Sequence, residues 1–201
     1  MLHIGITGGI GSGKTTVCKI FATLGIPIYY ADDRAKALMV EDKDLVKQIT
    51  DIFGEAAYLS DGQLNRGHIA QIAFSDADKL AQLNAAVHPA VGKDTLKWQQ
   101  EQSGVPYTLR EAALLFESGG YKNLDQVITV FAEQEIRLAR VLKRDNTTRE
   151  AVLARMNKQM PEAEKLKLAD FVIQNNGTES LIQQVWNIHQ ELTRNSFTNN
   201  E

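Results

Sequence analysis

Apolar and polar positions divide the chain into short apolar runs separated by long stretches with helical spacing. Residues 2–7, 26–30, 107–115, 126–131 and 171–174 read as strands. Val17, Ile20, Phe21 and Leu24 recur at helical spacing, and Gly25 stands where such a helix would stop. A last helix carries the stripe Leu181, Val185, Ile188 and Leu192, and the polar tail 195–201 is expected to fray. Strands alternating with helices predict an α/β fold in three layers, a five-stranded parallel sheet covered on both faces. A ligand on such a sheet sits at the carboxyl ends of the strands. Arg110 and Glu111 break the third run with charge where apolar residues are expected.

Two stretches are too long for simple crossovers. Residues 35–102 carry one stripe of Leu45, Ile49, Ile52 and Phe53 and another of Leu80, Leu83 and Val87, punctuated by Gly54, Asp61-Gly62 and Pro89. They predict a small helical subdomain. Residues 132–161 carry Arg137, Arg140, Lys143, Arg144, Arg149, Arg155 and Lys158, with Ile136, Val141, Leu153 and Met156 as the apolar side. A break at Asp145-Asn146 precedes Thr147 and Glu150, which fit a capping box. Two basic helices about a short break predict a hinged lid. The remaining segments, 1–34, 103–131 and 162–201, form the core of the single domain 1–201.

The chain has 201 residues, 43% of them hydrophobic, enough for one substantial core. A net charge of −3 gives no field to attract nucleic acid or anionic lipid. The single cysteine, Cys18, excludes an internal disulfide and reads as a packing residue. No apolar run reaches membrane-spanning length, and a strand beginning at the first residues leaves no room for a targeting peptide, so a cytoplasmic location is expected. Oligomeric state stays open, a monomer being the simplest case.

The first strand runs directly into Gly8-Gly9-Ile10-Gly11-Ser12-Gly13-Lys14-Thr15, the pattern G-x-x-x-x-G-K-T, with a helix behind it. That is a P-loop in its required strand-loop-helix setting, where backbone N–H groups converge on phosphate oxygens at a helix N-terminus. Gly8, Gly9, Gly11, Ser12, Gly13, Lys14, Thr15 and Thr16 are the expected nucleotide-binding residues. Lys14 puts a point charge on the outer phosphates, and the Thr15 hydroxyl can ligate Mg²⁺. Phosphoryl transfer also needs a proton acceptor and charge neutralisation. Asp32, after the second strand, reads either as a base for a substrate hydroxyl or as a helix N-cap. Most arginines of 132–161 read as a solvated helix face; Arg140 and Arg144, one turn apart, are the two expected at the phosphates. Glu117, expected to end the third strand, could orient Mg²⁺ or substrate, or merely cap the next element. Asn175-Asn176-Gly177 reads as a turn or as an adenine contact. No N-K-x-D sequence of a GTPase switch occurs.

The whole series resembles the dephospho-coenzyme A kinases. Besides the P-loop, the resemblance rests on Ala31-Asp32, Asp61-Gly62 with Leu64 and Arg66, His88-Pro89, Leu114-Leu115-Phe116-Glu117, Arg144-Asp145, and Arg155 with Gln159. Ala169-Asp170, Val172-Ile173 and Asn175-Asn176-Gly177 complete it, in the family's order and over nearly the whole chain. It implies ATP-dependent phosphorylation of the ribose 3′-hydroxyl of dephospho-coenzyme A, with Mg²⁺, as the last step of coenzyme A biosynthesis. It further implies Asp32 as general base, Arg140 and Arg144 near the phosphates, and Asn175 and Gly177 beside the adenine. The subdomain 35–102 would embrace the substrate, with Arg66 and His88 as contacts; for His88 a simple bend between two helices is the other reading. Departures are Tyr30 where the family carries a first acid, Ala113 for its proline and Gln174 for its acid. A nucleoside or nucleotide kinase and a nucleotide-switched binding protein are the competing functions.

Overall fold

The structure is a computed structural model describing residues 1–198. It contains five strands, β1 (Leu2–Thr7), β2 (Ile28–Tyr30), β3 (Tyr107–Glu111), β4 (Gln126–Phe131) and β5 (Phe171–Gln174). All pair in parallel in the order β2-β3-β1-β4-β5, so their carboxyl ends share one edge. The chain separates into two compact units, Met1–Tyr30 with Gln102–Glu201, and Ala31–Glu101.

In the first unit the sheet packs with α1 (Lys14–Thr23) and α9 (Leu181–Thr198). Ile4, Ile6, Phe21, Leu109, Ile128, Ile173, Val185 and Leu192 form its core, all fully buried. Helix α1 ends as its sequence predicts: Leu24 caps it and Gly25 turns away at φ 80°. The apolar stripe of α9 is as expected, with Leu181 partly buried. The helix continues to Thr198 and buries Ser196, so the expected fraying does not begin at Asn195; residues 199–201 lie outside the described residues.

Two strands are shorter than their apolar runs. Pro27 has no N–H to give a ladder, and β2 begins after it, although the Pro27 carbonyl still accepts from the Leu109 N–H at 3.0 Å. Strand β3 stops at Glu111 rather than residue 115, because its neighbour β1 runs out: Glu111 stands opposite Ile6, and the Ala112 N–H donates to the Ile6 carbonyl at 3.2 Å. Leu115 and Phe116 are buried from the turn that follows. Glu117 therefore lies in that turn and does not end a strand. Arg110 and Glu111 are charged because they stand at the carboxyl edge of the sheet, past the buried stretch Tyr107–Leu109.

Helices α6 (Gln134–Asp145), α7 (Arg149–Met156) and α8 (Glu162–Leu168) follow β4. The break is at Asn146, in left-handed conformation (φ 48°, ψ 50°). Thr148, not Thr147, caps α7 by accepting the Ala151 N–H at 3.3 Å, so the expected capping box is displaced by one residue. The buried face is Leu138, Val141, Val152 and Met156, with Ile10, Leu142 and Leu153 against it.

The second unit is helical, with α2 (Ala31–Glu41), α3 (Lys43–Phe53), α4 (Arg66–Ser75) and α5 (Ala77–Gln100). Asp42, Asn65 and Asp76 cap α3, α4 and α5. The Arg34 guanidinium joins α2 to α5 by two hydrogen bonds of 3.0 Å to the Asp94 carboxylate. Leu45, Ile49 and Phe53 are buried as predicted. The stripe of α5 is instead Val87, Val91, Thr95 and Gln99, and Leu80 is exposed. Pro89 does not break the chain: α5 runs through it for 24 residues, held by packing on α2 and α3. His88-Pro89 is thus not a bend between two helices.

Ile128 is fully buried in β4, so Ile128→Ala is expected to lower unfolding free energy by about 2–5 kcal/mol. Ile182→Ala, at a side chain 69% exposed, is expected to stay within about 0.5 kcal/mol. Urea denaturation of both variants checks the difference.

Candidate active site

The loop from Gly8 to Gly13 leaves the carboxyl end of β1 in the middle of the sheet and enters α1 directly. Gly13, the N-cap of α1, has φ 96° and ψ 22°, a left-handed conformation that a side chain would strain. Its missing Cβ also makes room for the Asn175 side chain. This turn brings Lys14, Thr15 and Thr16 into the first turn of α1, where free N–H groups and the helix dipole favour an anion. The Lys14 ammonium donates to the Gly8 carbonyl at 2.8 Å, arching back over the loop. Thr15 and Thr16 are exposed. The Ser12 side chain is fully buried, and its hydroxyl has no hydrogen-bond partner among the described residues.

Three other segments close on the loop. The Asn175 amide, just after β5, donates to the Ser12 carbonyl at 2.7 Å. Arg140 of α6 donates to the Asn175 carbonyl at 2.9 Å and faces the Gly11 and Ser12 carbonyls at 3.4 and 3.5 Å. Arg137, three residues earlier, is buried rather than solvated. It donates to the Ala132 carbonyl at 3.0 Å, pairs with Glu162 at 3.6 Å and packs on Gly9, where a Cβ would force the Arg137 and Glu162 side chains to shift. The Ile10 N–H donates to the Gln159 side-chain carbonyl at 2.8 Å. The site thus gathers Gly8, Gly9, Gly11, Ser12, Gly13, Lys14, Arg140 and Asn175.

Other predicted residues stand elsewhere. Arg144 is drawn to Asp145, at 2.6 Å, and Asp145 also accepts from Arg155 at 2.7 Å. These two guanidinium groups, Arg144 first, hold the Asp145 carboxyl well below the usual carboxylate range. The Glu117 carboxylate accepts the Met160 N–H at 2.8 Å and lies 3.4 Å from Lys165, an ammonium with no exposure. Gly177 is in a left-handed turn at φ 87°, and the neighbouring Asn176 amide oxygen accepts the Glu133 N–H at 2.9 Å. In the second unit, Asp32 is the second residue of α2, exposed in its first turn, and so is not its N-cap. Arg66 opens α4 and His88 lies within α5, both exposed.

The sequence assigned no site role to Arg137, Gln159 or Glu111. The signal for Glu111 was its charge inside an apolar run. It stands opposite the last residues of β1, and both its carboxylate and the Lys14 ammonium act on Cys18 beneath the loop. Burial, and then Glu111, push the Cys18 thiol up to about 12, which fits a packing residue and not a nucleophile. The Thr15 hydroxyl, exposed in the first turn of α1, could hold a cation. No cluster of three or more His, Cys, Asp or Glu suited to a metal occurs among the described residues. No helix among the described residues is long and apolar enough to cross a membrane.

Comparison with known proteins agrees with this geometry. A sequence model of the dephospho-CoA kinase family matches residues 2–180. A dephospho-CoA kinase of Salinibacter ruber is 42% identical over 180 residues, covering 89% of this chain and 90% of its own. One of Chlorobium chlorochromatii is 38% identical over 206 residues, covering 98% and 96%. A crystal structure of a Thermus thermophilus protein superposes with a TM-score of 0.82 at 34% identity, covering 94% of this chain and 96% of that one. With its phosphate loop built and nearly all of its length matched, the chain belongs to the dephospho-CoA kinase family.

Proposed function

We propose that the protein phosphorylates the 3′-hydroxyl of dephospho-coenzyme A from ATP, giving coenzyme A and ADP. The carrying observation is the phosphate cradle between β1 and α1, closed by Lys14, Arg140 and Asn175, in a chain of this family. The buried, unpartnered Ser12 hydroxyl suits a polar ligand at the loop.

On this reading, loop amides and Lys14 bind the phosphates and stabilise charge that grows on them in the transition state. Arg140 adds a guanidinium beside the Gly11 and Ser12 carbonyls, and Asn175 holds it there. Asp32 accepts the proton of the ribose 3′-hydroxyl. Thr15 would hold a Mg²⁺ ion, which when bound screens phosphate charge and orients the transferring group. The second unit, with Arg66 and His88, would take the substrate, and residues 132–161 would act as the lid that excludes water. Arg144 would reach the phosphates only by leaving Asp145. Gly177 would border the adenine. Tyr30 in place of an acid counts against a metal role at this position and does not touch the role of Asp32 as base. A cytoplasmic enzyme working as a monomer is the simplest form.

Coupled detection of ADP release tests the reading. Turnover is expected with dephospho-coenzyme A and not with nucleoside monophosphates; the reverse pattern would identify a nucleotide kinase. Slow hydrolysis indifferent to either acceptor would identify a nucleotide-switched binding protein. Asp32→Asn is expected to lower kcat by about two to four orders of magnitude while ATP affinity, read by calorimetry, stays close to that of the parent. Arg140→Ala removes charge-assisted hydrogen bonds at the loop and is expected to lower kcat/KM by about ten- to a hundredfold in steady-state assays. A parent-like kcat/KM would remove Arg140 from the site.

A further inference from the structure

We infer that Gln159 is a positioning residue for the phosphate loop: it fixes the orientation of the Gly9–Ile10 peptide and so decides which groups face the nucleotide. The inference rests on the reading of this loop as the triphosphate site.

A peptide plane between two residues can rotate by half a turn with little movement of its neighbours, exchanging the positions of its N–H and its carbonyl. Glycine makes such a rotation easy, since it lacks the Cβ that restricts φ and ψ. In a cradle of amides the consequence is severe. Rotated, this peptide would set its N–H against the Ser12 N–H and break the turn that shapes the loop, so the amides beyond it would no longer hold their directions. The Gly9–Ile10 peptide is exposed to this hazard and is held at both ends. Its carbonyl accepts the Ser12 N–H at 3.0 Å, and its N–H donates to Gln159 at 2.8 Å. The first bond is internal to the loop and would be lost together with the loop's own shape. The second comes from outside, so it can impose that shape before any ligand arrives.

Gln159 can impose it only because its own segment is anchored. It follows α7, and its N–H donates to the Met156 carbonyl at 3.0 Å. The next residue, Met160, donates to Glu117 at 2.8 Å. Glu117 is paired with the fully buried Lys165, Lys165 with Glu162 at 3.6 Å, and Glu162 with Arg137. Arg137 and Glu162 in turn fill the space where a Cβ on Gly9 would stand. The loop's outer limb is therefore clamped between a hydrogen bond at Ile10 and a buried ion pair at Gly9. A side chain of any other chemistry at 159 could fill the volume, but an N–H requires an acceptor within about 3 Å.

The test compares Gln159→Met, equal in length and without a carbonyl, with Gln159→Glu, which keeps an acceptor oxygen. Amide hydrogen exchange of the full nucleotide-free chain reads the hold on the peptide. Gln159→Met is expected to speed exchange at the Ile10 amide by about tenfold while α1, α7 and α8 keep their protection, and Gln159→Glu is expected to keep Ile10 protected. Calorimetry with Mg–ADP is expected to show affinity about five- to tenfold weaker in Gln159→Met. Unchanged Ile10 exchange and unchanged Mg–ADP affinity in Gln159→Met would overturn the inference. So would a general loss of protection across α7 and α8 in both variants, the mark of a residue that only packs. If the unsubstituted chain bound no Mg–ADP, the triphosphate reading would fall, and the exchange comparison would still decide whether Gln159 holds the peptide.

Discussion

An anion site made of backbone amides works only if the amides already point inward, because peptide dipoles that must turn at the moment of binding spend the affinity they supply. That constraint organises the first unit. Gly13 supplies the left-handed turn that starts α1 at Lys14, and β1 delivers the loop from the most deeply buried part of the sheet. The remaining orientation comes from side chains of distant segments: Asn175 on the Ser12 carbonyl, Arg140 on Asn175, Gln159 on the Ile10 amide. Each of these partners follows or belongs to an element at the carboxyl edge of the sheet. The parallel topology brings them together, since every strand ends on that edge.

Beside Gly9 lies a run of charges, in which Arg137 and Lys165 are buried and are met by the less buried carboxylates of Glu162 and Glu117. Removing such groups from water is expensive, and pairing in a low-dielectric interior seldom returns more than it takes, so they are poor evidence of stability. Their separations of 3.4 to 3.6 Å are long for hydrogen bonds, which points the same way. What they do supply is direction: α6, α8 and the turn after β3 are held at one place against Gly9. The exposed pairs are different in kind. Arg149 with Glu135, and Arg144 and Arg155 with Asp145, lie on the surface of α6 and α7 and contribute little individually. Arg144 can therefore be released from its partner cheaply, whereas Arg137 cannot.

The helical unit rests on another principle. Its helices are capped by Asp42, Asn65 and Asp76, and its core is built from the i, i+4 spacing of α3 and α5. Packing there is strong enough to carry α5 through Pro89, which local preference would have used as a stop. The cap of α7 is a local matter and falls on Thr148, whose hydroxyl accepts the Ala151 N–H.

Strand-loop-helix at Gly8–Thr15, five strands and the stripes of α1, α3 and α9 were all legible in the linear pattern, because each depends on neighbours close in the chain. The glycine that must be left-handed and the lysine beside it are local requirements of the same kind. Distances across the chain were not legible. Strand β3 ends where its neighbour ends, Arg137 is buried because Glu162 meets it, and Gln159 matters because folding sets it against a residue 149 positions away. A basic stripe written in one dimension does not say which of its arginines faces water. Periodicity settled most of the elements, and the G-x-x-x-x-G-K-T spacing between strand and helix settled that a phosphate loop exists. The folded chain alone settled which side chains hold that loop, since pairing and burial are properties of places and not of positions in a string.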